Sequence, residues 1–240
     1  MLKLESAKPP AAPAPLICRG ILFDLDGTLV HTGPDLAGAM NHVLTKRGVD
    51  TLALEQVEHL VGSGARSLLA RGFWGIEAEP PEYDADFEEA VEDFLLYYAE
   101  HIADTSHPYA GVMESLERFR EQGMAMGVVT NKPAFLAKKL LQALGMDDYF
   151  RIVVGGDSLP TRKPQPEMLL HATVHMACAV DEVVMVGDSG NDIDAARNAG
   201  CPVVAVSYGY NRNQPIAELE PDRVVDQFTE LNKLLVMEAG

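Results

Sequence analysis

The chain reads as an α/β protein, a doubly wound parallel sheet with an all-helical module inserted after its first core strand. Three observations predict this. From Gly111 onward, short apolar runs alternate with stretches of helical periodicity. The apolar run Ile21-Leu22-Phe23 ends in Asp24-Leu25-Asp26-Gly27-Thr28, as a buried strand would if it delivered carboxylates to a sheet edge. Between these regions, residues 33–107 show helical periodicity and no strand. Alternating strands and helices imply parallel pairing, and in such sheets functional groups gather at the carboxyl ends of the strands.

The elements follow in order. Residues 1–16 are Pro/Ala-rich and read as a flexible tail. After the first core strand, Gly27 lets the backbone turn tightly. Asp35 is placed to cap a helix carrying Leu36, Met40, Val43 and Leu44, which stops at Gly48. A short helix spans 54–60, Gly62-Ser63-Gly64 breaks it, and a third helix runs through Ser67–Leu69 to Gly72. After the Pro80-Pro81 loop, a long acidic helix spans about 84–103, with Phe87, Val91, Phe94, Leu95 and Tyr98 as its apolar stripe. The chain then alternates: helix 112–122, strand 126–129, helix 133–144, strand 152–154, helix 166–178, strand 183–186, helix 191–198, strand 203–206, strand 223–225 and a terminal helix near Leu231. Residues 17–32 and 108–240 thus form the α/β core. Residues 33–107 form a helical cap, joined to the core by two short connectors and positioned to act as a lid.

Composition narrows the function classes. With 47% hydrophobic residues in 240, the chain can fill a real core. A net charge of −17 argues against nucleic acid, whose phosphates demand clustered Lys and Arg. Three cysteines, Cys18, Cys178 and Cys201, show no paired spacing, and no apolar stretch reaches membrane-spanning length. These features lead to the expectation of a cytoplasmic protein, monomeric or homodimeric.

Asp24-Leu25-Asp26-Gly27-Thr28 alone could be an ordinary turn. Its company decides otherwise. Val128-Val129 leads into Thr130-Asn131-Lys132, and Val183–Val186 leads into Gly187-Asp188-Ser189-Gly190-Asn191-Asp192. Arg162-Lys163-Pro164 stands ahead of a Pro166-initiated helix. All four clusters project to one rim. Carboxylates brought together there repel unless a cation or proton intervenes, and oxygen ligands of this kind suit a hard divalent ion such as Mg2+. Thr130 and Asn131 can donate to phosphate oxygens, and Lys163 offers them a compact positive charge.

These four motifs, in this order and spacing, resemble the haloacid dehalogenase superfamily, in its phosphatase branch with a helical cap. The resemblance covers residues 20–231. It implies Asp24 as a nucleophile forming an aspartyl-phosphate, and Asp26 as the acid for the leaving alcohol and later the base for water. It also implies Thr130 and Lys163 holding the phosphoryl group, and Mg2+ on Asp24, the Asp26 carbonyl and Asp188, supported by Asp192. Phe23–Val30 with Gly33–Leu36, Val61–Ala65, Tyr109–Val112 and Val129–Pro133 look most like bacterial phosphoglycolate phosphatases, although His31-Thr32 and Ala110 depart from that pattern. The implied reaction is hydrolysis of 2-phosphoglycolate to glycolate and phosphate. The alternatives are an N-acetylmuramic acid 6-phosphate phosphatase, a β-phosphoglucomutase-like sugar phosphomutase and, last, a non-catalytic binding module. In the cap, Gly62-Ser63-Gly64 precedes a helix whose first turn carries Arg66. Arg66 is either a clamp for the substrate carboxylate or a solvated surface residue.

Several other features are read as structural. His171 and His175 share a helix face but have no third ligand. Trp74 and Phe73 pack the cap, the acidic run around Glu88 to Asp93 is a solvated face, and Cys178 and Cys201 are small buried side chains.

Overall fold

A computed structural model describes residues 14–211 and 215–237, so residues 1–13 of the flexible tail expected over 1–16 lie outside the described residues. Two short strands, β1 (Leu16–Cys18) and β2 (Gly20–Phe23), are followed by β3 (Val30–His31). Four helices come next: α1 (Gly33–Lys46), α2 (Leu54–Glu58), α3 (Ala65–Trp74) and α4 (Ala85–Glu100). The chain returns through β4 (His107–Pro108) to α5 (Val112–Glu121), β5 (Ala125–Val129), α6 (Ala134–Ala143), β6 (Ile152–Val154) and α7 (Glu167–Met176). It continues with β7 (Val183–Gly187), α8 (Gly190–Ala199), β8 (Val203–Val206) and β9 (Arg223–Val225), and closes with α9 (Leu231–Leu234) and β10 (Leu235–Met237).

The central sheet has six strands in the order β6-β5-β2-β7-β8-β9. Every adjacent pair is parallel. The strand with the first acidic motif, β2, lies between β5 and β7, where the winding reverses direction. This is the place in an open α/β sheet where a crevice forms at the carboxyl edge. Both faces of the sheet are covered, which explains why its strands read as unbroken apolar runs. Ile21, Phe23, Val128 and Val186 pack into one core together with Leu116, Phe119 and Phe228. Leu22, Val129 and Met185 face the other core, with Met168, Leu169 and Ile193 from α7 and α8.

The two connectors to the helices pair with each other. Val30 lies opposite Pro108 and His31 opposite His107 in an antiparallel ribbon of two residues per strand. Asp35, expected to cap α1, does something else. Thr32 occupies the cap position, and the buried Asp35 carboxylate sits in the first turn. It accepts from the backbone of Thr105 (3.1 Å) and Ser106 (2.8 Å) and from the Ser106 hydroxyl (2.7 Å). The incoming and outgoing chains are thereby tied at one carboxylate, which also suits the positive end of the helix dipole.

Two further differences concern the termini. Leu16, placed in the tail by its Pro-rich context, begins β1, and β1 pairs in parallel with β10. Single short segments 219 residues apart give no local signal of such a pairing. Cys178, expected to be buried, is half-buried, whereas Cys18 and Cys201 are buried; all three are free thiols.

Replacing Asp35 by Ala leaves the backbone N–H groups of Thr105 and Ser106 without their acceptor, the latter buried. Urea denaturation is expected to show a loss of about 2–4 kcal/mol. A loss below about 0.5 kcal/mol would show that the Asp35 contacts do not tie the connectors.

Candidate active site

The rim of the sheet collects the polar clusters because each apolar strand ends where burial between the helix layers ends. Asp24 follows β2, Thr130 follows β5 and Asp188 follows β7, on three adjacent strands. Asp192 arrives from the first turn of α8, where its carboxylate accepts from the Ser189 backbone (3.0 Å) and hydroxyl (2.7 Å). Lys163 reaches in from the loop between β6 and α7.

Asp24, Asp188 and Asp192 each place a carboxylate oxygen within 4.8 Å of the others, and their exposures are 7%, 2% and 0%. Lys163 Nζ lies 2.9 Å from Asp24 Oδ1 and 2.6 Å from Asp192 Oδ1, and also donates to the Val129 carbonyl at 2.7 Å. Asp188 is held by the Thr28 hydroxyl at 2.9 Å and the Tyr210 backbone N–H at 2.6 Å. Gly27 has a φ of +86°, and a Cβ there would strike the Asp188 carboxylate. Glycine therefore serves both the turn and the close approach.

Three buried carboxylates face one ammonium. Burial pushes Asp24 up to about 6, aided by Asp192 and opposed by Lys163. Burial, with Asp24 and Asp192 adding to it, holds Asp188 well above the usual carboxylate range. For Lys163 burial alone would favour the neutral amine, but Asp192 and Asp24 outweigh it and keep the ammonium. The ion pair and the raised Asp24 value pull in opposite directions. Burial decides the upward direction for Asp24, and the charge count agrees with it, since Lys163 offsets only one of the three carboxylates. Asp24 Oδ1 meets Lys163 outside hydrogen-bond geometry and has no other partner. The Asp26 carbonyl oxygen also accepts no hydrogen bond among the described residues. This donor set, all oxygen and two charges in excess, fits a hard divalent cation.

Asp26 belongs to a second network. Its Oδ1 accepts from Lys132 Nζ at 2.8 Å, and Lys132 Nζ also donates to the Tyr98 hydroxyl at 2.7 Å. Tyr98 comes from α4 of the cap, so a cap side chain closes on a core lysine beside Asp26. Burial holds the Tyr98 phenol protonated. A cavity of about 40 Å3 lies here, with Asp24, Asp26, Thr130 and Lys132 on the core side and Leu68 and Phe94 on the cap side.

Asn131, expected to donate to a phosphate, spends its side-chain amide on the Gly62 carbonyl of the cap (3.0 Å) and the Lys163 carbonyl (3.1 Å). It acts as a joint between loops. Asn191 also donates to the Gly62 carbonyl, at 3.0 Å. Arg66 is not brought to the site. Its guanidinium pairs with Glu88 at 2.5 Å, donates to the Pro81 carbonyl at 3.0 Å and lies over the Phe87 ring, and it does not line the cavity. Glu88, read as part of a solvated face, is the partner that turns it away.

The model of the haloacid dehalogenase-like hydrolases matches residues 21–206. The chain belongs to the haloacid dehalogenase-like hydrolase family. Within it, the chain is 41% identical over 217 residues to a phosphoglycolate phosphatase of Thiobacillus denitrificans, covering 90% of this chain and 95% of that one. It is 43% identical over 212 residues to a phosphoglycolate phosphatase of Photobacterium profundum, covering 88% and 93%. A crystal structure described as a predicted phosphoglycolate phosphatase from Haemophilus somnus superposes with a TM-score of 0.84 at 38% identity, covering 90% of this chain and 97% of that one. The haloacid dehalogenase-like chain is thus an enzyme of the phosphatase branch that its motifs resemble. Phosphatases of this family generally use a divalent metal, and the buried acidic triad fits one. No helix among the described residues is long and apolar enough to cross a membrane.

The raised carboxylates predict a pH-dependent metal effect. A carboxyl whose folded value exceeds its unfolded one stabilises the metal-free fold fully below the unfolded value. That contribution is lost as pH rises through the folded value, here from about 4 to above 6. A divalent cation takes the proton's place, so the rise in Tm on adding it is expected to be larger at pH 7.5 than at pH 5. Equal increments in differential scanning fluorimetry would show that these carboxylates do not hold the ion.

Proposed function

We propose that this hydrolase is a Mg2+-dependent phosphomonoesterase that works through an aspartyl-phosphate on Asp24, with 2-phosphoglycolate as its substrate and glycolate and phosphate as products. The observation that carries the reading is a carboxylate, Asp24, set among buried acidic neighbours beside Lys163, with Asp26 two residues on at the same cavity.

Asp24, the Asp26 carbonyl and Asp188 would hold the ion, with Asp192 supporting them through Lys163. Bound there, Mg2+ supplies charge neutralisation to the phosphoryl oxygens. The residues of the chain do the rest. An Asp24 oxygen attacks phosphorus in line as the bond to the glycolate oxygen breaks, and that oxygen takes the proton of the Asp26 carboxyl. The Asp26 carboxylate then takes a proton from water, whose oxygen attacks phosphorus. The Asp24 carboxylate leaves, and inorganic phosphate is released. The Thr130 hydroxyl and Lys163 keep the phosphoryl oxygens in place and offset their charge.

The cap wall of the cavity is largely apolar, with Val61, Leu68 and Phe94, and offers little to the sugar hydroxyls of N-acetylmuramic acid 6-phosphate, which supports a small acid. The names of the relatives point the same way. A cytoplasmic setting is in keeping with three free thiols.

Asp24→Asn is expected to abolish turnover. Asp26→Asn is expected to keep Mg2+ affinity within a few fold by calorimetry and to lose roughly 100- to 10,000-fold in kcat. Phosphate release is to be measured on 2-phosphoglycolate, muramic acid 6-phosphate, β-glucose 1-phosphate and a nucleotide, with Mg2+ or EDTA. A wild-type rate in Asp26→Asn, or release that ignores EDTA, would sink the mechanism.

A further inference from the structure

If the substrate is a phosphorylated acid, something in the site must receive its carboxylate. Among the cavity-lining residues one side chain carries a positive charge, Lys132. Arg66, the cation that its position in the cap suggested, is committed to Glu88 and the Pro81 carbonyl. The remaining wall contributed by the cap is largely apolar, with Val61, Leu68 and Phe94.

Lys132 is unusual for a lysine in being 3% exposed at its side chain. A buried ammonium needs acceptors for three N–H groups. Two are engaged, by Asp26 Oδ1 at 2.8 Å and the Tyr98 hydroxyl at 2.7 Å, and the third has no partner among the described residues. The Tyr98 hydroxyl accepts from Lys132 and keeps its own proton to donate, which gives the cavity two convergent donors on one side.

Position fits as well as charge. On the mechanism above, Asp26 meets the ester oxygen. In 2-phosphoglycolate the carboxylate stands one methylene from that oxygen. Lys132 Nζ is in direct contact with Asp26 and lines the cavity, so a substrate whose ester oxygen meets Asp26 would have its carboxylate next to Lys132.

We infer that Lys132 is the specificity-determining residue of this site, receiving the substrate carboxylate on its ammonium while the cap residue Tyr98 orients it and donates a second hydrogen bond. The inference rests on the phosphomonoesterase reading and adds to it the group that selects acids over neutral esters. An analogue lacking the carboxylate leaves one N–H of a buried ammonium without an acceptor, which makes rejection stronger than simple loss of contact.

The test compares 2-phosphoglycolate with 2-hydroxyethyl phosphate, which replaces the carboxylate by a hydroxymethyl group and keeps the ester. Wild-type protein with Mg2+ is expected to favour the acid by about 10- to 100-fold or more in kcat/KM. In Lys132→Met that preference should shrink at least tenfold, mostly through KM on the acid. Tyr98→Phe, which keeps the charge and the ring, should shrink it by a smaller factor. A wild-type enzyme that releases phosphate from both esters without preference overturns this inference alone. So does Lys132→Met losing equally on both, since Lys132 would then act only on Asp26. Release from neither ester by the wild type overturns the phosphomonoesterase reading and this inference with it. The wild-type comparison needs no variant to fold, and Tyr98→Phe gives a second measure if Lys132→Met does not.

Discussion

Three carboxylates packed out of water against one another dominate the energetics of this molecule. Such an arrangement is unfavourable without positive charge, and Lys163 supplies one unit against three. Everything around the cluster can be understood as holding it in place despite that cost. The three acids or their neighbours sit at the ends of adjacent parallel strands, the stiffest positions the fold offers. The Thr28 hydroxyl, the Tyr210 N–H and the Ser189 pair fix individual oxygens. Glycine is required where backbone runs against the carboxylates, since a Cβ at Gly187 would collide with Asp192 and one at Gly209 with Asp188. The oxygen donors of the triad are therefore held in place by the fold itself, in an arrangement that fits a divalent cation.

The cap is attached more loosely than the cluster is built. Its connectors pair over only two residues each, and such ribbons are marginal alone. Beside apolar packing that runs from Leu36, Leu68 and Phe94 to Leu136, the polar contacts of the cap with the core rim are Asn131 and Asn191 on the Gly62 carbonyl, Arg162 on the Ser63 carbonyl and Lys132 on Tyr98. The two asparagine bonds are worth about 0.5–1.5 kcal/mol each and the two with charged donors about 1.5–3 kcal/mol each. A wall contributed by the cap keeps water from the groups that line the cavity, where every charge then acts more strongly.

Much of this was legible in the chain. The alternation of apolar runs with helical periods located the core strands within a residue or two, because a parallel sheet buried on both faces leaves that pattern. The acidic motifs were visible because each interrupts such a run. What escaped depends on contacts between distant segments. Tyr98 reads as one more member of an apolar stripe, since periodicity identifies a helix face but not the polar atom a tyrosine carries at its tip. Lys132 stands beside the recognised Thr130-Asn131 pair, yet a single lysine has no spacing signal to separate a site residue from a surface one. Arg66 looked available because its partner Glu88 lies 22 positions on, on another helix. Asp35 fits the composition of a helix cap, and only the return of the chain at Thr105 and Ser106 reveals its other use.

The charge inventory also bears on hydrolysis against transfer to a sugar. A phosphomutase must hold a second phosphoryl group while the first is exchanged, and a dianion bound out of water asks for more than one cation or a cluster of amide donors. The cavity beside Asp26 offers one ammonium, already shared with Asp26 and Tyr98, and otherwise apolar cap walls. One ammonium and one hydroxyl match the single charge and two oxygens of a carboxylate. Asn131, which might have served a second phosphate, has its amide donors occupied by two carbonyls. On electrostatic grounds this inventory favours the proposed hydrolysis of a small phosphorylated acid over transfer to a sugar.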